Sequence, residues 1–371
     1  MSFHQTPLVV GYFSALIFAG VLCFRAWRNE SPAHFWLGFL LFLMAMEIQD
    51  YTFGFSGINL LWEELNGFPR HFALVFAPTV FFYLTTQTNQ DYRWKSIDWL
   101  HFLPHGIYVL FGLILFSLGP SAVTNFQNSD LGKRMGWLLD ILIWISYGYY
   151  FVKSLRLLRQ FEQWLPSQFS SIQQVDLHWL KQFIYLVIFG QVFKWCWFLI
   201  DLIFRLPFEQ DWWWQLFSVF LIFFVGINGL SQSSPSSLIF QPIEETVADP
   251  MDSKDYSFLR EKLDHLMEKE EVYLVPELTL LEVSNRLKLS SSTVSAAINQ
   301  LYQMNFNDFI NQYRVKAFLS YVHDPKKQHL TLLALGLMAG FNSKATFNRV
   351  VKKVTGKSPK EFLITPSDSL L

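Results

Sequence analysis

The sequence predicts an all-α protein in two parts, a bundle of membrane-spanning helices followed by a helical domain that faces water. Long apolar runs rich in Phe and Trp dominate the chain up to about Leu230, whereas the remainder has the composition of an ordinary charged soluble domain. From Tyr256 onward, apolar residues recur at helical spacing. The net charge of -1 averages over these two different parts, so it does not indicate a class of partner.

Seven stretches are apolar enough to be predicted as spans, since crossing a bilayer takes about 20 residues of helix. The second and third are the least clear, because they are short or polar at one end. The predicted spans are Leu8 to Phe24, His34 to Ile48, His71 to Thr86, Leu100 to Leu118, Trp137 to Val152, Leu180 to Phe204 and Trp213 to Leu230.

The basic residues predict an orientation with the N-terminus outside and the C-terminus in the cytoplasm. Arg25 and Arg28 follow the first span and no positively charged region precedes it, which favours an uncleaved span over a signal peptide. In this orientation, the cytoplasmic connections hold about twice as many basic residues as the outer ones. The cytoplasmic set is Arg25, Arg28, Arg93, Lys95, Lys153, Arg156, Arg159 and Lys181, and the outer set is Arg70, Lys133, Arg134 and Arg205.

Four ionisable residues lie inside the predicted spans, where a charge is costly unless it is paired or hydrated. They are Glu47, Asp140, Lys194 and Asp201. Lys194 and Asp201 are two turns apart, too far for a relaxed pair, and Asp140 on the neighbouring span is an equally good partner for Lys194. This set is either a sensing or signal-gating group or a structural bridge between helices. An intramembrane aspartyl protease formed by Asp140 and Asp201 is disfavoured, because no Gly-x-Gly precedes Asp201.

Residues 231–255 are rich in Ser, Pro, Gln and acidic residues and show no apolar period, so they predict a flexible linker. The predicted organisation is a membrane domain at 1–230, this linker, and a cytoplasmic domain at 256–371.

An internal repeat organises the cytoplasmic domain. The sequence TLLEVSNRLKLSSSTVSAAINQL begins at Thr279, and TLLALGLMAGFNSKATFNRVV begins at Thr331. Aligned, Ser284 meets Gly336, and both are small residues of the kind needed where two helices cross closely. Each copy therefore predicts a helix, a turn and a second helix.

The turns and helix starts of the two copies are also similar. Gly340 supplies the positive φ that the second turn needs, whereas the first copy has Lys288 at this place. Ser290 or Ser291 can cap the second helix of the first copy, and Asn342 or Ser343 that of the second copy.

The repeat resembles the DNA-binding domain of AraC/XylS-type transcription regulators, in which a long helix joins two helix-turn-helix units. The second unit carries the resemblance most clearly, through Ala339-Gly340-Phe341, Phe347-Asn348-Arg349-Val350 and Thr355-Gly356-Lys357-Ser358-Pro359. The connecting segment from Asn305 to Arg314 also fits. The resemblance covers about the last 110 residues.

The second recognition helix concentrates the basic residues of the repeat. Lys344, Arg349, Lys352 and Lys353 can neutralise phosphates, and Asn348 and Arg349 have the donor patterns that read base edges. The alternative is a basic face that is merely solvated. The resemblance implies groove contacts from Ser343, Lys344, Thr346, Asn348 and Arg349, and in the first unit from Ser291, Ser292, Ser295, Ala296 and Asn299.

These observations predict a one-component transcription regulator that is anchored in the inner membrane and binds promoter DNA. It is expected to respond to an unidentified signal ligand or membrane state. Homodimerisation is a further expectation. The alternative is a seven-span transporter or membrane enzyme whose tail is a protein-interaction module. No catalytic residue, metal or cofactor is expected. Both cysteines, Cys23 and Cys196, fall within apolar runs, and no glycine-rich phosphate loop or zinc motif is present.

Overall fold

The computed structural model describes residues 5–29, 31–55, 65, 67–89, 91–171, 177–206, 208–231, 240 and 253–363. Within these ranges the chain forms fourteen α-helices and several short 3-10 turns, and one isolated antiparallel bridge joins Phe169 to Thr279. The predicted all-α class is confirmed. The chain divides into two compact units. The first comprises Met1–Arg159 with Leu177–Gln241, and the second comprises Gln160–Asp176 with Pro242–Leu371.

The first unit contains the apolar helices, and each of the seven predicted stretches lies on one of them. The helices are α1 (Gln5–Asn29), α2 (Pro32–Phe55), α3 (Ala73–Thr88), α4 (Leu103–Ser117), α5 (Pro120–Asn128), the first part of α6 (Asp130–Gln168), α7 (Leu177–Phe204) and α8 (Trp212–Ser231). Among the described residues, five helices are long and apolar enough to cross a membrane, namely α1, α2, α6, α7 and α8. Because α3 has 16 residues and α4 has 15, the count of seven spans stays a prediction.

Helix α3 is the most buried helix of the first unit, although it is short. α1 packs against α2 and α8, and α2 also packs against α3. Thr79, Thr86 and Thr88 on α3 are buried, and each hydroxyl donates to the carbonyl four residues earlier at 2.8, 2.8 and 2.9 Å. These bonds satisfy the hydroxyls inside the helix itself, so α3 can be buried without water or a partner side chain.

Large apolar side chains are exposed on α4, α6 and α7. Examples are Ile107, Leu110, Leu138, Ile145, Phe189 and Ile203. An apolar surface of this extent is costly in water and typical of contact with lipid or with another protein. The first unit is therefore suited to a membrane environment.

Lys194 pairs with a residue other than the two predicted partners. Its Nζ donates to Oε1 of Glu47 on α2. Oδ1 of Asp201 instead accepts the backbone N–H of Leu206 at 2.9 Å, just beyond the end of α7. Within the described residues Asp140 forms no ion pair, and its residue is exposed. The predicted pairing is corrected because sequence spacing does not reveal which helices are neighbours in a bundle.

The second unit contains two helix-turn-helix pairs joined by a long helix, as the repeat predicted. Its helices are α9 (Ser253–Glu268), α10 (Leu280–Leu287), α11 (Ser291–Tyr302), α12 (Phe306–Val322), α13 (Leu332–Met338) and α14 (Lys344–Thr355). Apolar residues from all six helices meet in one core. Phe318 of α12 and Phe347 of α14 form its aromatic centre, with ring centroids 4.8 Å apart. The linking helix therefore holds the second pair in place.

One large apolar residue of α9 lies outside the core. Leu259, Leu263 and Met267 are buried, but Phe258 is 59% exposed. The ammonium of Lys262 lies 4.4 Å from the centre of the Phe258 ring. A cation over an aromatic ring is attracted to it, and this contact stabilises Phe258 outside the core.

Most of the predicted linker, 231–255, lies outside the described residues. The exceptions are Ser231 at the end of α8, the first residues of α9, and Phe240. Phe240 is buried, and its backbone N–H donates to the carbonyl of Thr88 at 3.3 Å. The extent of the linker stays a prediction.

Candidate nucleic-acid interface

The two helix-turn-helix pairs begin with equivalent threonine caps. The hydroxyl of Thr279 accepts the backbone N–H of Glu282 at 3.2 Å, and that of Thr331 accepts the N–H of Ala334 at 3.1 Å. Glu282 also accepts the N–H of Thr279, which completes a capping box in the first pair. The repeat in sequence thus corresponds to a repeat in local hydrogen bonding.

Serine side chains cap both recognition helices, α11 and α14. Ser290 accepts the backbone N–H of Thr293 at 3.1 Å, and Ser343 accepts that of Thr346 at 3.2 Å. The sequence left two candidates at each place, and the structure selects Ser290 over Ser291 and Ser343 over Asn342. Ser343 therefore has a structural role at the start of α14.

Both turns contain a residue in the left-handed region. Gly340 has φ of +91°, and Lys288, at the matching place, has φ of +56°. A Cβ on Gly340 would lie 2.5 Å from the carbonyl oxygen of Tyr273, so the second turn excludes a side chain as well as favouring glycine. The first turn adopts the same conformation with Lys288, at a cost of about 1–2 kcal/mol for a residue with a Cβ.

Small residues let the two helices of each pair approach closely. In the second pair, a Cβ on Gly336 would lie 2.7 Å from the ring of Phe347 on α14. In the first pair, Ser284 is buried and its hydroxyl donates to the carbonyl of Leu280 at 2.8 Å. The structure thus explains why small residues align at this point of the repeat.

Helix α14 presents one exposed polar face. Exposed and buried residues alternate with helical period. The exposed set is Lys344, Ala345, Asn348, Arg349, Lys352, Lys353 and Val354, and the buried set is Thr346, Phe347, Val350 and Val351. The exposed set carries four basic side chains and no carboxylate. We call this exposed set the basic face of α14.

One carboxylate from the linking helix borders the basic face. Nζ of Lys353 donates to Oδ1 of Asp308 at 2.6 Å. Lys344, Arg349 and Lys352 form no ion pair within the described part of the chain. These three side chains therefore carry the available positive charge of this helix.

Thr346 is a correction to the predicted set of groove-facing residues. It is 2% exposed, and its Oγ1 accepts a hydrogen bond from Ser343 Oγ at 3.0 Å. A side chain buried under its own helix cannot reach a base edge. Thr346 and Ser343 instead fix the first turn of α14, from which Lys344 projects.

Helix α11 differs from α14 in charge. Ser292 and Asn299 are exposed, Ser291 and Ser295 are partly exposed, and the face toward the core carries Val294 among others. No residue of α11 is charged. These hydroxyls and the amide can donate single hydrogen bonds to phosphates or bases, but they provide no bidentate contact.

Arg314 on α12 has a role that the sequence reasoning missed. It is fully buried, and its guanidinium donates to the carbonyls of Tyr273 at 2.8 Å, Val275 at 2.7 Å and Pro276 at 3.2 Å. Burial lowers the pKa of Arg314 to about 10, which leaves the side chain protonated at neutral pH. The sequence did contain an indication, since Arg314 follows Ile310 by four residues and so falls on the apolar face of the helix.

The arrangement suits a polyanion and offers no metal centre. Lysine and arginine side chains on an exposed helix can neutralise phosphates, and the arginine fork can donate to two acceptors on one base. Among the described residues, no group of three or more His, Cys, Asp or Glu side chains is placed to hold a metal ion.

Comparison with known protein families identifies the same region. Residues 283–364 match the model of a helix-turn-helix domain, which is of the AraC type. No curated protein and no solved structure matches the chain. The match confirms the predicted resemblance for the C-terminal part of the chain, and domains of this type belong to regulators that bind double-stranded DNA.

Proposed function

We propose that this protein, whose C-terminal domain is of the AraC helix-turn-helix type, is a membrane-anchored one-component transcription regulator. The apolar helices of the first unit hold it in the inner membrane. The second unit binds promoter DNA in a sequence-specific manner. The regulator acts without a separate kinase or partner receptor, because sensor and DNA reader belong to one chain.

The basic face of α14 is the observation that carries this proposal. Its charged residues lie on the exposed side of the second recognition helix. In helix-turn-helix proteins, this is the helix that enters the major groove. Arg349 is proposed to read a base edge, and Asn348 to read adenine or to bind the backbone. Lys344 and Lys352 are proposed to bind phosphates.

The first recognition helix is proposed to position the domain more than to specify sequence. The side chains of Ser291, Ser292, Ser295 and Asn299 are short and uncharged, so each contributes at most a weak preference. In the proposed complex, α11 and α14 enter successive major grooves about 34 Å apart along the duplex.

Loop charge and packing together support a cytoplasmic location for the DNA-binding domain. The basic residues of the predicted loops favour a cytoplasmic connection between α6 and α7. In the structure, residues 160–171, which lead into that connection, belong to the second unit, together with the helix-turn-helix pairs. A domain and a segment that pack together must lie on the same side of a membrane.

The sensing role of the first unit is proposed from the charged residues in its helices. The bundle brings Lys194 against Glu47, both partly buried, and such a pair inside a membrane is costly to separate. A ligand or membrane state acts by having different affinities for two arrangements of these helices. Asp140 and Asp201 stay candidates for the same role, and homodimerisation stays part of the proposal.

Salt-dependent DNA binding by the full-length protein in detergent micelles tests the proposal. The logarithm of the association constant is expected to fall steeply with the logarithm of salt concentration, and Lys352→Ala is expected to reduce that slope by about 0.9. Lys262→Ala removes another exposed lysine, on α9, and is expected to leave the slope unchanged.

Base preference separates the role of Arg349 from that of Lys352. In a selection from random duplexes, Arg349→Ala is expected to lose about 1–3 kcal/mol of discrimination at one base position. Lys352→Ala is expected to weaken all sequences alike. Absence of any binding at about 50 mM salt would favour a tail that binds protein, and equal losses from both changes on every sequence would refute the assignment of Arg349.

A further inference from the structure

We infer that Phe169–Ser171, the segment directly after α6, is a built-in part of the DNA-binding domain and couples the membrane helices to it. We call these three residues the docking segment. The inference rests on the proposed function, since it assigns the route by which a change in the first unit reaches the DNA-binding helices. The docking segment lies far before the helix-turn-helix pairs in sequence, but it belongs to the same unit as they do.

The backbone of the docking segment pairs with the start of the first helix-turn-helix. Phe169 forms an antiparallel bridge with Thr279, and the N–H of Ser170 donates to the carbonyl of Leu278 at 3.1 Å. Thr279 is the residue that caps α10. The docking segment therefore contacts the first pair where its first helix begins.

A side chain of the linking helix α12, Asn307, forms hydrogen bonds with the docking segment. Nδ2 of Asn307 donates to the carbonyls of Phe169 at 3.0 Å and Ser170 at 2.9 Å. Asn311, one turn later, donates to Oδ1 of Asn307 at 3.0 Å and so orients that amide. Both asparagines are buried, and a buried amide without its acceptors is destabilising by about 1–3 kcal/mol.

Arg314 connects the docking segment to the residues that precede the first helix-turn-helix pair and lies beside the turn of the second. Its Nη2 donates to Ser170 Oγ at 3.1 Å and to the Val275 carbonyl, which precedes the first pair. Its Nε lies 3.1 Å from where a Cβ on Gly340 would be, in the turn of the second pair. Ser170 is fully buried against this guanidinium. A shift of the docking segment would therefore change the contacts of a charge that lies between the segment before the first pair and the turn of the second pair.

Helix α6 connects the docking segment to the first unit along the chain. It is one continuous helix of 39 residues, which corresponds to roughly 58 Å. Its early residues belong to the first unit, and those from Gln160 onward belong to the second. Because a continuous helix transmits translation and rotation along its axis, movement of α6 in the membrane reaches Phe169–Ser171 directly. The DNA-binding domain is thus attached through this segment as well as through the chain after α8.

A disulfide between opposed positions tests whether the docking segment is seated in the full-length protein. Phe169→Cys and Thr279→Cys are combined in a chain that carries Cys23→Ala and Cys196→Ala, with a protease site inserted within residues 241–252. Directly opposed residues of an antiparallel bridge are close enough for a disulfide. After mild oxidation and cleavage, the two fragments are expected to stay joined until they are reduced, whereas either single cysteine is expected to leave them separate.

DNA affinity tests the coupling itself. Asn307→Ala is expected to change the affinity of the full-length protein for DNA by about fivefold or more without changing the salt slope, because Asn307 is buried away from phosphates. The disulfide in the same chain is expected to restore the affinity. Ser167→Ala is the matched control, since Ser167 Oγ donates only to the carbonyl of Trp164 and to no residue of the helix-turn-helix pairs.

The outcomes separate this inference from the proposed function. Fragments that come apart after oxidation, in a protein that binds DNA, would refute the docking segment and leave the regulator standing. Fragments that stay joined, with Asn307→Ala and Ser167→Ala both without effect on affinity, would refute the coupling. A joined chain that does not bind DNA at low salt would refute the regulator.

Discussion

Arg314→Met is expected to lower the free energy of unfolding of the second unit by about 3–5 kcal/mol, because a buried acceptor that loses its donor costs about 1–3 kcal/mol and more than one acceptor is affected. The side chain donates to carbonyls of Tyr273, Val275 and Pro276, all before the first helix-turn-helix. Methionine fills similar space but removes the donor to the carbonyls of Tyr273 and Pro276, and it leaves the Val275 carbonyl with only the N–H of Leu278, at 3.3 Å. Hydrogen exchange of residues 253–363 in the full-length protein measures the loss.

Arg286→Met is the matched control for Arg314→Met. Arg286 is 47% exposed and pairs with Glu270 at 3.2 Å. Exposed ion pairs contribute about 0–1 kcal/mol, so exchange is expected to change little. Similar losses from the two variants would contradict the view that Arg314 holds the second unit together through its buried hydrogen bonds.

Gly340→Ala is expected to destabilise the second helix-turn-helix by about 2–5 kcal/mol, the sum of a left-handed backbone penalty and an overpacking penalty. The residue has φ of +91°, and the added Cβ would meet the backbone oxygen of Tyr273 at 2.5 Å. Backbone atoms cannot move aside as a flexible side chain can. The expected readout is faster exchange in α13 and α14 and weaker DNA binding.

Gly356→Ala measures the left-handed backbone penalty without the overpacking penalty that Gly340→Ala also carries. Gly356 ends α14 with φ of +74°, and a Cβ there would have no atom within 4 Å. Only the backbone penalty of about 1–2 kcal/mol is expected. If Gly340→Ala were no more damaging than Gly356→Ala, the close approach between the second turn and Tyr273 would not matter for stability.

Features that depend on neighbours in sequence could be predicted from the sequence. The caps of α11 and α14, which the sequence narrowed to two neighbouring residues each, and the turn at Gly340 involve residues within a few positions of one another, so residue type and spacing suffice. Because the caps occur in both copies of the repeat, each copy supports the prediction for the other. The first turn was harder, because Lys288 occupies a left-handed position that its residue type does not indicate.

Features that depend on tertiary packing could not be predicted in the same way. Lys194 pairs with Glu47 rather than with a residue on its own helix or on α6. Thr346 has a polar side chain at a position that the resemblance marked as groove-facing, yet it is buried beneath the cap of α14. The docking segment lies more than one hundred residues before its partners, as the 144-residue separation of Ser170 and Arg314 shows, and no local pattern marks such a pairing.

DNA binding to sealed membrane vesicles of both orientations tests most directly whether the apolar helices hold a DNA reader on the cytoplasmic side. Vesicles containing the full-length protein are mixed with a labelled duplex at low salt. Inside-out vesicles are expected to bind the duplex, and right-side-out vesicles are expected to bind it only after permeabilisation. Binding to intact right-side-out vesicles, or to neither kind after permeabilisation, would contradict the account.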